Sequence, residues 1–222
     1  MTATRLAAIF IAGCGLTGCV GLHAEAPKVP FVPEVLSEAV ATGNAAFEKK
    51  DYAVARKAYE RVLKLEPDNL MGCVNLGMVE FYMGNKDRAE ELLKKAVRIR
   101  LETAPAWLTL GMIYMDQNRS DAALAALTQA ALYDPANARA RNFLGVVAGR
   151  RGWIDAAQEQ LRRAVEIDPS YADAHYNLAV FYLQEKPPSI ELARRHYFKS
   201  RELGVEKDPE IEKVFVSKTK KQ

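Results

Sequence analysis

The sequence is poor in the residues that build covalent frameworks and metal centres. Only three cysteines and three histidines occur in 222 residues. Three cysteines cannot all pair, and no HExxH or cysteine–histidine zinc spacing is present. Charge of one sign is missing too. The 31 basic residues are offset by 28 acidic ones, a net charge of +3. That excess does not argue for nucleic acid, and no basic stripe has aromatics interleaved in it. Long hydrophobic runs are absent, which argues against a multi-span membrane protein. The 13 glycines and ten prolines exclude collagen-like or low-complexity chains. What is there is ordinary: 49% apolar and 27% charged residues, the balance of a globular chain. The glycines form no phosphate loop, and nothing nominates a catalytic residue, a cofactor or a metal site. The chain is not expected to be an enzyme.

The first thirty residues read as an address. Arg5 and the free amine precede an apolar stretch from Leu6 to Leu16, the length of a signal-peptide core. It ends in Leu16-Thr17-Gly18-Cys19. That quartet resembles the lipobox of bacterial lipoproteins, whose cysteine is acylated and becomes the first mature residue. Ile11-Ala12-Gly13-Cys14 is a second match with a shorter apolar core, so Cys19 is the favoured lipidation site. An uncleaved anchor, cleavage near Ala24-Glu25-Ala26, and a misread start of a cytoplasmic chain are the alternatives. Within the resemblance, Val20 after the cysteine implies an outer-membrane lipoprotein facing the periplasm. Cys73 is then the one thiol left, on an apolar helical pattern where a small core residue fits. Pro27, Pro30 and Pro33 recur every third residue, which favours an extended path. From Val20 to Pro33 such a tether reaches about 40 Å.

The remainder repeats. Gly43, Gly77, Gly111 and Gly145 are spaced by 34 residues, with Ala179 at the next step; Ala55, Ala89, Ala123 and Ala157 keep the same interval. Pro67, Pro135 and Pro169 share the period, with Leu101 at the vacant step. The third unit is the clearest, with Trp107, Leu110-Gly111, Tyr114, Ala123, Leu127, Ala130 and Pro135. This pattern resembles the tetratricopeptide repeat (TPR) family. The resemblance implies an all-α fold, a right-handed α-solenoid of five TPR helix pairs. Small residues let paired helices approach closely, and proline stops the second helix. Turn residues fall at Lys50-Asp51, Gly84-Asn85, Asn118-Arg119 and Gly152. In the fifth unit Lys186-Pro187-Pro188-Ser189 lengthens the loop by two residues. Asp208-Pro209 then starts a C-terminal capping helix. The expected divisions are a signal peptide over 1–18, acylated cysteine and tether over 19–33, repeats over 34–205, and capping helix with basic tail over 206–222.

In this family the first helices line a concave groove. One face of the second repeat's first helix carries Met71, Val74, Met78, Phe81 and Tyr82; in the third repeat the same face carries Pro105, Leu108, Met112, Met115 and Asp116. Four of the five methionines after Met1 lie here. Thioethers adapt to irregular apolar peptides and amphipathic helices. Packing against neighbouring helices, or against Val29, Phe31 and Val32 of the same chain, is the competing reading. Farther along, the face presents Arg139, Asn142 and Arg150, suited to an acidic group or to plain solvation. Asn44 and Asn75 match the carboxylate clamp of chaperone-binding relatives. Val40, Pro105 and Thr109 replace its basic partners, so no clamp is expected. His175 reads as a packing residue.

These readings converge on a lipid-anchored TPR scaffold that holds a protein partner, a peptide or an amphipathic helix in its groove. Its setting would be envelope assembly: pilus or secretin, outer-membrane or cell-wall complexes. It would touch the membrane through its lipid and bind no nucleic acid. The alternative is a self-associating structural protein, a homo-oligomer whose groove its own chain fills.

Overall fold

The 34-residue interval becomes a stack of helix pairs. The structure, a computed structural model, describes residues 32–219. The expected signal peptide, Cys19, the tether up to residue 31 and the last three residues lie outside the described residues. Among those described, eleven helices and no strands occur. The first pair is α1 (Val32–Glu48) and α2 (Tyr52–Leu65), the second α3 (Leu70–Tyr82) and α4 (Lys86–Ile99), and the third α5 (Ala104–Asp116) and α6 (Ser120–Tyr133). Next come α7 (Ala138–Arg150) with α8 (Ile154–Ile167), α9 (Ala172–Leu183) with α10 (Ile190–Glu202), and finally α11 (Pro209–Thr219). Helix α1 begins at Val32, so the last two residues assigned to the tether are helical. The fold is an all-α solenoid.

Each glycine of the periodic series faces a large side chain sixteen positions on. A Cβ at Gly43 would lie 2.5 Å from Tyr59 Cε1, and at Gly77, 2.7 Å from Leu93 Cγ. The corresponding distances to Leu127 and Leu161 are 2.5 Å at Gly111 and 2.6 Å at Gly145. The period is thus a record of close helix approach within each pair. In the fifth pair the two extra loop residues shift the partner of Ala179 to Tyr197, both fully buried.

The turns within pairs repeat as strictly. Lys50, Gly84, Asn118 and Gly152, again 34 apart, have φ of 58°, 85°, 57° and 79°. These left-handed residues end the first helices. Side-chain caps then restart the chain: Asp51 accepts from the Val54 amide, Asn69 from Gly72 and Asn137 from Ala140. At the step where proline is missing, the Trp107 indole donates to the Leu101 carbonyl at 2.6 Å.

Partners within a pair pack most closely, and first helices also touch along the stack, α3 on α5, α5 on α7 and α7 on α9. Cys73 is buried in the central apolar cluster, where burial pushes its thiol up. At the C-terminal end Ile211 and Phe215 of α11 cover Tyr197 and its neighbours. Asp208 caps α11 by accepting from the Glu210 and Ile211 amides. It also accepts from the Tyr176 hydroxyl at 2.7 Å, a bond that holds that phenol up at about 12.

Candidate functional site: the face of the first helices

The expected groove residues fall into three groups. Met71 is open to solvent, 54% exposed. Met78, Phe81, Leu108 and Met115 are half-buried and pack down on the central cluster, leaving one side free. Met112 is half-buried as well. Val74 and Asn142 are not groove residues. Val74 is 4% exposed and belongs to the central cluster. Asn142 is 2% exposed, donates to the Tyr171 hydroxyl at 3.3 Å and accepts from Asn177 at 2.9 Å. Both stand three positions before the repeated glycine, as the half-buried Leu108 does, but at Val74 and Asn142 the neighbouring helices cover the side chain.

Tyr82 is exposed on one side but stacks on Tyr52 with centroids 5.4 Å apart and planes 6° from parallel. It belongs to an aromatic group with Phe47 and Phe81, so its ring already has partners within the chain. Arg139 and Arg150 are exposed on α7. The Arg139 guanidinium lies 5.6 Å over the Phe143 ring, and neither arginine forms an ion pair among the described residues.

A small polar pocket interrupts the apolar face. Asn44, Phe47, Glu48, Tyr59, Asn75 and Met78 line a cavity of about 200 Å³. The Tyr59 hydroxyl donates to Asn44 Oδ1 at 2.7 Å, and the Asn75 amide donates to the same oxygen at 3.3 Å. Burial raises the Tyr59 phenol, so it stays a donor. The two clamp-like asparagines do meet, but the charged wall beside them is Glu48, an acid. The pocket therefore suits amide or hydroxyl groups better than a carboxylate. Sequence reasoning picked out both asparagines and missed the pocket, because Tyr59 comes from a second helix.

The repeats are also joined by polar ties that link a second helix to the first helix and turn of the next repeat. Glu80, fully buried, has its carboxylate 3.0 Å from Arg56 Nε and 3.2 Å from Arg88 Nη1, and Asn85 donates to its other oxygen at 2.6 Å. One step on, the Tyr114 hydroxyl and Arg119 both donate to Glu90. Burial works against that charge, but hydrogen bonds from Lys94 and Arg119 hold Glu90 below its ordinary range. At the last junction Gln158 donates to the Phe181 carbonyl and to Glu185.

His175 is buried and its Nε2 lies 3.1 Å from the Pro169 carbonyl, while its Nδ1 lies 2.9 Å from Nδ1 of His196. This geometry fits two neutral rings: His175 donates from Nε2 to the carbonyl, and His196 donates from Nδ1 to His175. Burial, with His175 and Arg195 nearby, brings His196 down to about 4. No group of three metal-ligating side chains exists among the described residues.

Comparison with known proteins decides the family. Models described as tetratricopeptide repeat match residues 39–69, 71–104 and 108–152, and one described as TPR repeat matches 150–185. The chain is a tetratricopeptide repeat protein. Its fold resembles the crystal structure of MamA protein, at 26% identity and a TM-score of 0.64, over 80% of this chain and 100% of that one. YrrB, described as a TPR protein with an unusual peptide-binding site, is similar at 21% identity and TM-score 0.61, over 78% and 92% of the two chains. Pseudomonas aeruginosa PilF is similar at 17% identity and TM-score 0.74, over 85% and 87%. Those last two likenesses concern the fold. Family and neighbours together point to a protein-interaction module.

Proposed function

We propose that this TPR protein is a lipid-anchored adaptor of the bacterial envelope. Its first-helix groove holds a segment of another protein, an apolar peptide or an amphipathic helix. The observation that carries the reading is the placement of Met71 and Met78. Met71 is exposed, and the half-buried Met78 lines a pocket whose Asn44 and Asn75 amides can fix a peptide backbone. Covering the parts of these methionines that are still exposed contributes about 1 kcal/mol each, and the amides supply register. The peptide-binding site named for YrrB supports this use of the fold.

The anchor rests on the sequence. Cys19 follows a lipobox-like quartet, and acyl chains hold a domain at a membrane surface. The adaptor would then search for its partner in two dimensions, on the periplasmic face of the outer membrane, within an envelope assembly. Fractionation tests this part. Cys19→Ser is expected to leave the membrane fraction, and retention there would contradict a lipid anchor. Charging the groove tests the other part. Met71→Glu with Met112→Glu is expected to weaken partner capture while the chain stays folded. A change in oligomeric state alone would favour a groove filled by the protein itself.

A further inference from the structure

The second helices repeat two polar positions, one facing the junction with the next repeat and one exposed, and α6 departs from both. At steps of 34, one position holds Arg56, Glu90, Leu124 and Gln158, and another holds Lys64, Arg98, Leu132 and Glu166. Polar or charged residues fill both series except on α6. That helix has one charged residue, Asp121, where α4 has eight. Leu132 is consequently 62% exposed, at a position where the neighbouring repeats carry Arg98 and Glu166.

The junction beneath α6 is open. The positions that hold Glu80 with Asn85, and then Tyr114 with Arg119, are occupied here by Ala148 and Trp153. The inner tie is missing, leaving only the Asp121–Arg151 ion pair across the junction among the described residues, and a groove of about 470 Å³ remains between α6 and α8, with Leu124, Leu132 and Trp153 on its walls. Trp153 is 47% exposed. The one charged residue lining the groove is Arg141. Its Nη1 donates to Gln160 at 3.0 Å, its Nε has no hydrogen-bond partner, and it forms no ion pair among the described residues. Arg151, stacked 4.6 Å over the Trp153 ring, is already paired with Asp121.

We infer that this groove is a second docking site, for an amphipathic segment of a partner protein that carries a carboxylate among its apolar residues. The apolar walls take the aliphatic side chains. An unneutralised guanidinium selects the charge, because covering it with apolar or basic surface strands it, whereas a carboxylate gives a charge-assisted bond. A second copy of the chain fits less well. A two-fold contact through this face would set Arg141 and Arg151 against their own copies, with Asp121 already engaged. The site is built from α6, α7 and α8, and it shares no lining residue with the pocket at Asn44 and Asn75.

The test uses the full chain and two labelled synthetic amphipathic peptides with the same leucine stripe, one with glutamate and one with lysine on its polar face. Fluorescence anisotropy is expected to show the glutamate peptide binding about tenfold tighter, the preference of one charge-assisted contact. Leu132→Glu places at this position the residue that Glu166 already is in the next repeat, so folding is retained, and binding should be lost. Thr128→Glu should act alike. Arg141→Gln should erase the preference, and Glu91→Gln, exposed on α4 and outside both grooves, should change nothing. Equal affinities, or binding indifferent to Leu132→Glu and Thr128→Glu, would overturn the assignment. So would a concentration-dependent dimer that Leu132→Glu disperses, since the occupant would then be a second copy.

Discussion

Glu80 of α3 and Arg56 of α2 meet at 3.0 Å across the junction of the first two repeats, with the carboxylate fully buried. Arg88 approaches the same oxygen, and Glu60 bridges the two arginines from the exposed side. Removing the buried member leaves two guanidinium groups with Glu60 alone. Glu80→Ala is expected to lower stability by about 2 kcal/mol, less than a wholly buried pair because both arginines keep contact with water. Urea unfolding measures it. In a double-mutant cycle Arg56→Ala should cost clearly less once Glu80 is gone.

Lys50 occupies the left-handed turn position that is glycine at Gly84 and Gly152. A lysine there carries about 1 kcal/mol of backbone strain that glycine does not. Lys50→Gly should therefore raise stability slightly, the gain reduced by the freer unfolded chain. Gly84→Ala should lower it by about 1 kcal/mol, although no atom lies within 4 Å of the new methyl. Thermal melts of the two variants should move in opposite directions.

His196 gives the fold a pH dependence. Its pKa falls from 6.5 to about 4 on folding, so the unfolded chain binds the proton first. Stability from the neutral His196 ring is complete above pH 6.5 and declines as pH drops toward 4. Between pH 6.5 and about 5, above the carboxylate range, the decline reports histidine. Urea midpoints across that window should fall for the native chain and stay flatter for His196→Gln.

Much of this was legible in the sequence. The glycine series, the turn residues and the two-residue insertion before Ser189 each mark a backbone constraint that few residue types satisfy, and such constraints survive in a single sequence. Side-chain burial on the first-helix face was less legible. Met71 and Val74 are both apolar and lie on the same helical arc, yet one is open and the other is core, because the boundary depends on the neighbouring helix. Glu80 escaped notice for a similar reason. Its partners come from α2 and α4, and only their convergence explains a buried acid. The apolar outer side of α6 was readable by comparing Leu124 and Leu132 with their counterparts 34 residues away.

The central claim is that the first-helix face holds a protein partner. A photo-crosslinker at Met71 in intact cells, with the outward Glu91 on α4 as control, tests it most directly. The account predicts one envelope protein captured at Met71 and not at Glu91, and lost when Met78 and Met112 are changed to glutamate. Equal capture at both positions, or capture of the chain by itself alone, would contradict it.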